Sequence, residues 1–140
     1  MSTFNLPRDE FNKSVAPGWK PYDQSYPFKE YLGKLRLWYR LTDAQPHQIG
    51  LLIAARLKGN AYKVAMKLRV PRQVDPTTGT RQPDMVQDEA LSVPEQPAVL
   101  DPTTGTVLYP AIPSGVAHLM TKLRTAFGMD DQDNNGIILR

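Results

Sequence analysis

The sequence predicts a mainly α fold: a small bundle of about four helices with a β-hairpin inserted at residues 98–109. Three observations predict it. Apolar residues recur at helical spacing in four stretches of residues 26–128. The thirteen prolines fall outside those stretches or at their starts. The segment Asp75-Pro-Thr-Thr-Gly-Thr80 recurs as Asp101-Pro-Thr-Thr-Gly-Thr106, and apolar runs flank the second copy. A chain of 140 residues is long enough for one domain around a single core.

Residues 1–25 read as an irregular N-terminal arm. Pro7, Pro17, Gly18 and Pro21 punctuate it, while Phe4, Phe11, Trp19 and Tyr22 can dock on the body. The first helix is expected to start at Pro27, because proline suits the first helical position, where its missing N–H has no partner to lose. Phe28, Leu32, Leu35 and Tyr39 then lie at i, i+4, i+7 and i+11, with Tyr31 and Trp38 widening the stripe. Pro46 opens a second helix that is nearly apolar all round from Ile49 to Ala55, so it is expected to be the buried central helix. Gly59 is expected to end it by taking the left-handed conformation. Asn60 then caps a third helix, Ala61 to Arg69, whose inward face is Ala61, Val64, Ala65 and Leu68.

Pro71 stops that helix and begins a proline-rich insertion at residues 71–113. In both Asp-Pro-Thr-Thr-Gly-Thr copies proline presets the first corner, the aspartate bonds back to the backbone, and glycine takes the positive φ. Ala98-Val-Leu100 and Val107-Leu-Tyr109 make the second copy a hairpin, whereas the polar flanks of the first predict a weaker hairpin or a loop. Asp84 to Ser92 supplies one or two helical turns. Ser114 caps the last helix, in which Val116, Leu119, Met120, Leu123 and Phe127 form the stripe and Gly128 is the stop. The expected core is Phe28, Leu32, Leu35, Leu52, Ile53, Leu57, Leu119, Leu123 and Phe127. Residues 26–128 are thus read as one helical domain, followed by an acidic C-terminal tail, 129–140.

Composition excludes several functions. With no cysteine there is no disulfide, thiolate metal site, iron–sulfur cluster or cysteine nucleophile. No apolar run is long enough to span a bilayer, and Met1 to Glu10 carries charge and proline in place of an apolar signal core. The expectation is a cytoplasmic or nuclear chain without a membrane role. The sequence also contains no Gly-x-Ser-x-Gly elbow, P-loop or Gly-x-Gly-x-x-Gly turn. A non-enzymatic protein is expected.

The net charge of +3 is unevenly distributed. Lys29 to Arg72 holds ten basic residues against Glu30 and Asp43, while the remainder is acidic. Such a block suits a polyanion, or an acidic surface on another copy of the chain, as well as it suits a solvated helix face. The candidate nucleic-acid contacts are Arg36, Arg40, Arg56, Lys58, Lys63, Lys67 and Arg69. Binding through them would be sequence-independent and salt-sensitive. Trp38, Tyr31 and Tyr39 could in principle stack on bases, but their place on an apolar stripe assigns them to the core.

The aromatic helix Tyr26-Pro-Phe-Lys-Glu-Tyr-Leu-Gly-Lys-Leu-Arg-Leu-Trp-Tyr39, the apolar helix after it and the joint Leu57-Lys-Gly-Asn-Ala61 together resemble the capsid-type Gag domain of LTR retrotransposons. The match covers about residues 19–70 and, less specifically, continues to 128. The resemblance implies the N-terminal half of a helical capsid domain that self-associates around RNA. The partners it implies are other copies of the chain and RNA.

Two further patterns concern metals. Asp131, Asp133 and Asn135, with Gly136 and Ile138, match the opening positions of an EF-hand calcium loop. The glutamate expected at position 12 has no counterpart, so an acidic Asn-Gly-rich tail is the stronger reading and calcium the alternative. His47 and His118 stand apart without a ligand pattern and read as structural or surface residues. The leading expectation is therefore a self-associating Gag-like module with non-specific RNA contact. The alternatives are a protein–protein adaptor or accessory subunit holding a partner segment between helices, and a weakly calcium-responsive subunit.

Overall fold

The structure is a computed structural model and describes residues 11–128. It is mainly helical, with five helices and two small antiparallel two-stranded sheets. In chain order these are α1 (Phe28–Leu41), α2 (Pro46–Ala55), α3 (Gly59–Met66), β1 (Arg69–Val70), β2 (Met85–Val86), α4 (Gln87–Ser92), β3 (Val99–Leu100), β4 (Val107–Tyr109) and α5 (Gly115–Leu123). A π-helical turn, Arg124–Gly128, extends α5.

Helix α1 starts at Phe28 with Pro27 as its extended cap, one residue later than expected. Glu30 in the first turn and Arg40 in the last complement the helix dipole. Its buried face is Phe28, Tyr31, Leu35 and Trp38, at i, i+3, i+7 and i+10. This face is turned by about one residue from the expected stripe. Leu32 is therefore only half-buried and Tyr39 is exposed, which corrects its assignment to the core. Burying a large apolar side chain contributes about 1.5–3 kcal/mol, so these four residues anchor the helix.

Helix α2 ends at Ala55, four residues before Gly59, which instead opens α3 with φ +59°. The arm explains the difference. The Trp19 N–H donates to the Arg56 carbonyl and the Lys58 N–H to the Trp19 carbonyl, at 3.1 and 3.0 Å. This parallel bridge holds Arg56–Lys58 outside either helix. Helix α3 is shorter than expected, because Leu68 and Val70 turn into the core as the chain enters β1.

The arm is built around Trp19. Its ring stacks on Tyr31 at 5.4 Å and meets Phe28 and Phe127 edge-on at 5.3 and 5.2 Å. The indole N–H donates to the Tyr26 carbonyl at 2.8 Å. Lower on the arm, the Thr42 hydroxyl donates to the Lys13 carbonyl at 2.6 Å. Phe11 and Tyr22 stay exposed, and Phe4 lies outside the described residues.

The short helix α4 lies against α2 and α5 at very close range. A Cβ on Gly50 of α2 would overlap the Leu91 carbonyl oxygen, and one on Gly115 of α5 would overlap that of Ala90. Of the expected core, Phe28, Leu35, Ile53, Leu57, Leu119, Leu123 and Phe127 are buried. Leu52, like Leu32, packs on the margin. Ser114 caps α5 as expected, accepting from the Ala117 N–H.

Both Asp-Pro-Thr-Thr-Gly-Thr copies form the same turn. The aspartate N–H donates to the carbonyl of the last threonine, Asp75 to Thr80 and Asp101 to Thr106, at 2.8 Å in each. The aspartate side chain accepts from Thr77 or Thr103, also at 2.8 Å. Gly79 and Gly105 take φ values of +71° and +75°. Gly105→Ala is expected to cost about 1–2 kcal/mol, since only glycine enters this region freely. A thermal melt would check this, and an unchanged melting temperature would contradict it. The first copy closes a long hairpin in which Arg69 pairs with Val86 and Val70 with Met85. The second closes the β3–β4 hairpin, with a register shift at Val99/Leu100.

Candidate functional site: an apolar hairpin and an arginine-rimmed groove

The β3–β4 hairpin displays apolar side chains to solvent. Leu100 is 50% exposed, Val107 55%, Leu108 53% and Tyr109 37%. Side chains alternate along a strand, so Leu108 faces away from Val107 and Tyr109, and the hairpin is apolar on both sides. Apolar surface left this exposed on a hairpin marks a contact surface. The hairpin is held rigidly at its feet. Gln73 Nε2 donates to the Pro97 and Pro110 carbonyls at 2.9 and 2.8 Å, and Gln96 pairs with Ile112 in an antiparallel bridge. Gln96 Nε2 reaches back to the Pro71 carbonyl at 2.8 Å. The two glutamines thereby fasten the hairpin to the chain entering the first turn.

A groove of about 400 Å³ runs between α1, α2 and α5. Leu32, Leu35, Ile53, Val116 and Met120 supply its apolar lining, Tyr39 its edge, and Arg36, Arg40 and Arg124 its charge. Of the expected basic contacts, Arg36 and Arg40 therefore come together here, joined by Arg124. Arg124 is not among the expected contacts, because it lies far along the sequence, in the turn that extends α5.

The remaining basic residues are placed differently. Arg56 Nε donates to the Ala16 carbonyl at 3.3 Å and so holds the arm. Arg69 pairs with Asp84 at 3.5 Å. Lys58, Lys63 and Lys67 are exposed on α3 and at its two ends. A second groove, about 880 Å³, separates the arm from α1 and carries charges of both signs from Asp23, Glu30, Lys34 and Arg56.

Among the described residues no charged side chain is buried, and no three His, Asp or Glu side chains gather to hold a metal. The Asp131, Asp133 and Asn135 loop lies outside the described residues. His47 is exposed, and His118 Nδ1 lies 3.0 Å from the Ser114 carbonyl within its own helix. No described helix is long and apolar enough to cross a membrane. Asp23 is held below the usual carboxylate range, because the Ser25 hydroxyl and N–H both donate to it.

Tyr31 is the most perturbed group. Burial pushes its phenol far above the ordinary value near 10. Its hydroxyl and the Trp38 indole N–H are both buried without a hydrogen-bond partner among the described residues. Tyr31→Phe is expected to leave stability equal or raise it by about 1 kcal/mol, since it removes an unpaired buried hydroxyl. The raised folded value has a further consequence. Its contribution is fully present below pH 10 and is lost as pH rises above it, because the unfolded phenol ionises first. The wild type should therefore unfold in alkali more readily than Tyr31→Phe, as read by circular dichroism across pH 9–12. Identical alkaline transitions would contradict this.

Comparison with protein-family models, curated proteins and solved structures finds no match to this chain.

Proposed function

We propose that this chain is a structural module that self-associates, with sequence-independent RNA contact as a second role. The β3–β4 hairpin carries the reading. Leu100, Val107, Leu108 and Tyr109 form an apolar surface on a two-stranded sheet whose edges are unpaired among the described residues. An exposed apolar strand edge is a template for pairing with another chain. The resemblance to a Gag capsid domain is part of the same proposal, resting on the aromatic helix and the Leu57–Ala61 joint. Exposed Lys58, Lys63 and Lys67 on α3 and at its ends, with Arg36 and Arg40 exposed on α1, favour polyanion contact. A cytoplasmic or nuclear setting suits a cysteine-free chain.

The groove between α1, α2 and α5 favours a second reading, an adaptor that holds a segment of another protein. Light scattering coupled to size exclusion, run at low and high salt with and without a generic single-stranded RNA, separates the two. Multimers that enlarge with RNA at low salt are expected of an assembling module. A monomer under every condition would reject assembly and leave the adaptor.

A further inference from the structure

The hairpin and the groove are complementary surfaces on one chain. The hairpin is convex and apolar, and its single charged residue between Ala98 and Tyr109 is Asp101. The groove is concave and apolar, and its charges are the three arginines. The hairpin does not fill the groove of its own chain, since Val107, Leu108 and Tyr109 are all exposed. Its direction is set by the Gln73 bonds to Pro97 and Pro110 and by the Gln96–Ile112 bridge.

We propose that the groove between α1, α2 and α5 of one copy receives the β3–β4 hairpin of a second copy. This rests on the self-association reading and specifies its interface. Leu108, or Val107 with Tyr109, enters against Leu32, Val116 and Met120, while Asp101 approaches the arginine rim. The two surfaces differ, so repetition of the contact from copy to copy closes a ring or grows a filament.

Complementation between two full-length variants tests it. Val107→Lys with Leu108→Lys disables the hairpin, and Tyr39→Ala with Arg40→Glu disables the groove. All four positions are exposed, so the core is untouched. Each variant alone is expected to shift association to about tenfold higher concentration or more, the effect of losing one central contact. Mixed one to one, they are expected to form a heterodimer that grows no further, because one intact groove meets one intact hairpin.

Because the chain has no cysteine, cross-linking gives a second readout. Under a mild oxidant, Leu108→Cys chains and Ala117→Cys chains are expected to form disulfide-linked heterodimers, since Ala117 is exposed on the groove wall. If the wild type associates but the mixture stays monomeric, or the groove variant associates normally, the proposed docking is wrong while self-association stands. A cross-link from Ala117→Cys to Ile138→Cys within one chain, in place of Leu108→Cys, would put the C-terminal segment in the groove and also overturn it. A wild type that is monomeric at every concentration would overturn both readings.

Discussion

Gly50→Ala is expected to lower stability by about 3 kcal/mol, the upper range for overpacking a close contact. For a domain of this size that is a fall in melting temperature on the order of 10 °C. The added Cβ meets the Leu91 carbonyl oxygen, a backbone atom that no side-chain rotation moves aside. Either α4 shifts away from α2 or the variant fails to fold. Gly115→Ala is expected to act similarly through the Ala90 carbonyl. Gly33→Ala is the internal control. Gly33 lies in α1 with nothing within 4 Å of a Cβ. There the substitution is expected to stabilise by about 0.5–1 kcal/mol, because alanine loses less backbone entropy in a helix. Thermal melts of the three variants check the contrast. Equal effects at Gly33 and Gly50 would show that α4 does not pack this closely.

Trp19→Ala is expected to cost about 4 kcal/mol, the middle of the range for truncating a buried aromatic. One ring touches Tyr31, Phe28 and Phe127, so its loss opens a cavity between the arm, α1 and the end of α5. The arm should also loosen, since the bridge to Arg56 and Lys58 rests on Trp19 being seated. Trypsin should then cut after Lys13 faster than in the wild type, and urea denaturation should give the free-energy loss. Trp19→Phe retains most of the ring contact and loses the bond to the Tyr26 carbonyl. It should cost about 1–1.5 kcal/mol beyond the lost area. An arm as protected in Trp19→Ala as in the wild type would show that Trp19 does not hold it.

The helices were legible because their signals are local. Pro27, Pro46 and Ser114 mark starts, and the spacing of Phe28, Leu35, Leu119 and Leu123 marks faces. The repeated turn was legible for the same reason, since Asp, Pro and Gly each act within four residues of one another. Long-range contacts were not. The position of the α2–α3 joint depends on backbone bonds to Trp19, about forty residues earlier, and no property of Gly59 itself reveals them. The rotation that buries Trp38 and exposes Tyr39 depends on which neighbours α1 meets. Glycine at positions 50 and 115 is ordinary in sequence, and its role appears only once the Ala90 and Leu91 carbonyls lie against it. The candidate site divides in the same way. The apolar hairpin could be read from Ala98 to Tyr109, but the groove needs Arg36 and Arg40 from one helix and Arg124 from another.

The most direct test of self-association through the hairpin is sedimentation velocity over a wide concentration series, comparing the wild type with Val107→Lys/Leu108→Lys. The wild type is expected to sediment faster as concentration rises, while the variant, with an unchanged circular dichroism spectrum, stays a 15.7 kDa monomer up to about tenfold higher concentration or beyond. A wild type and variant that sediment identically at every concentration would contradict it.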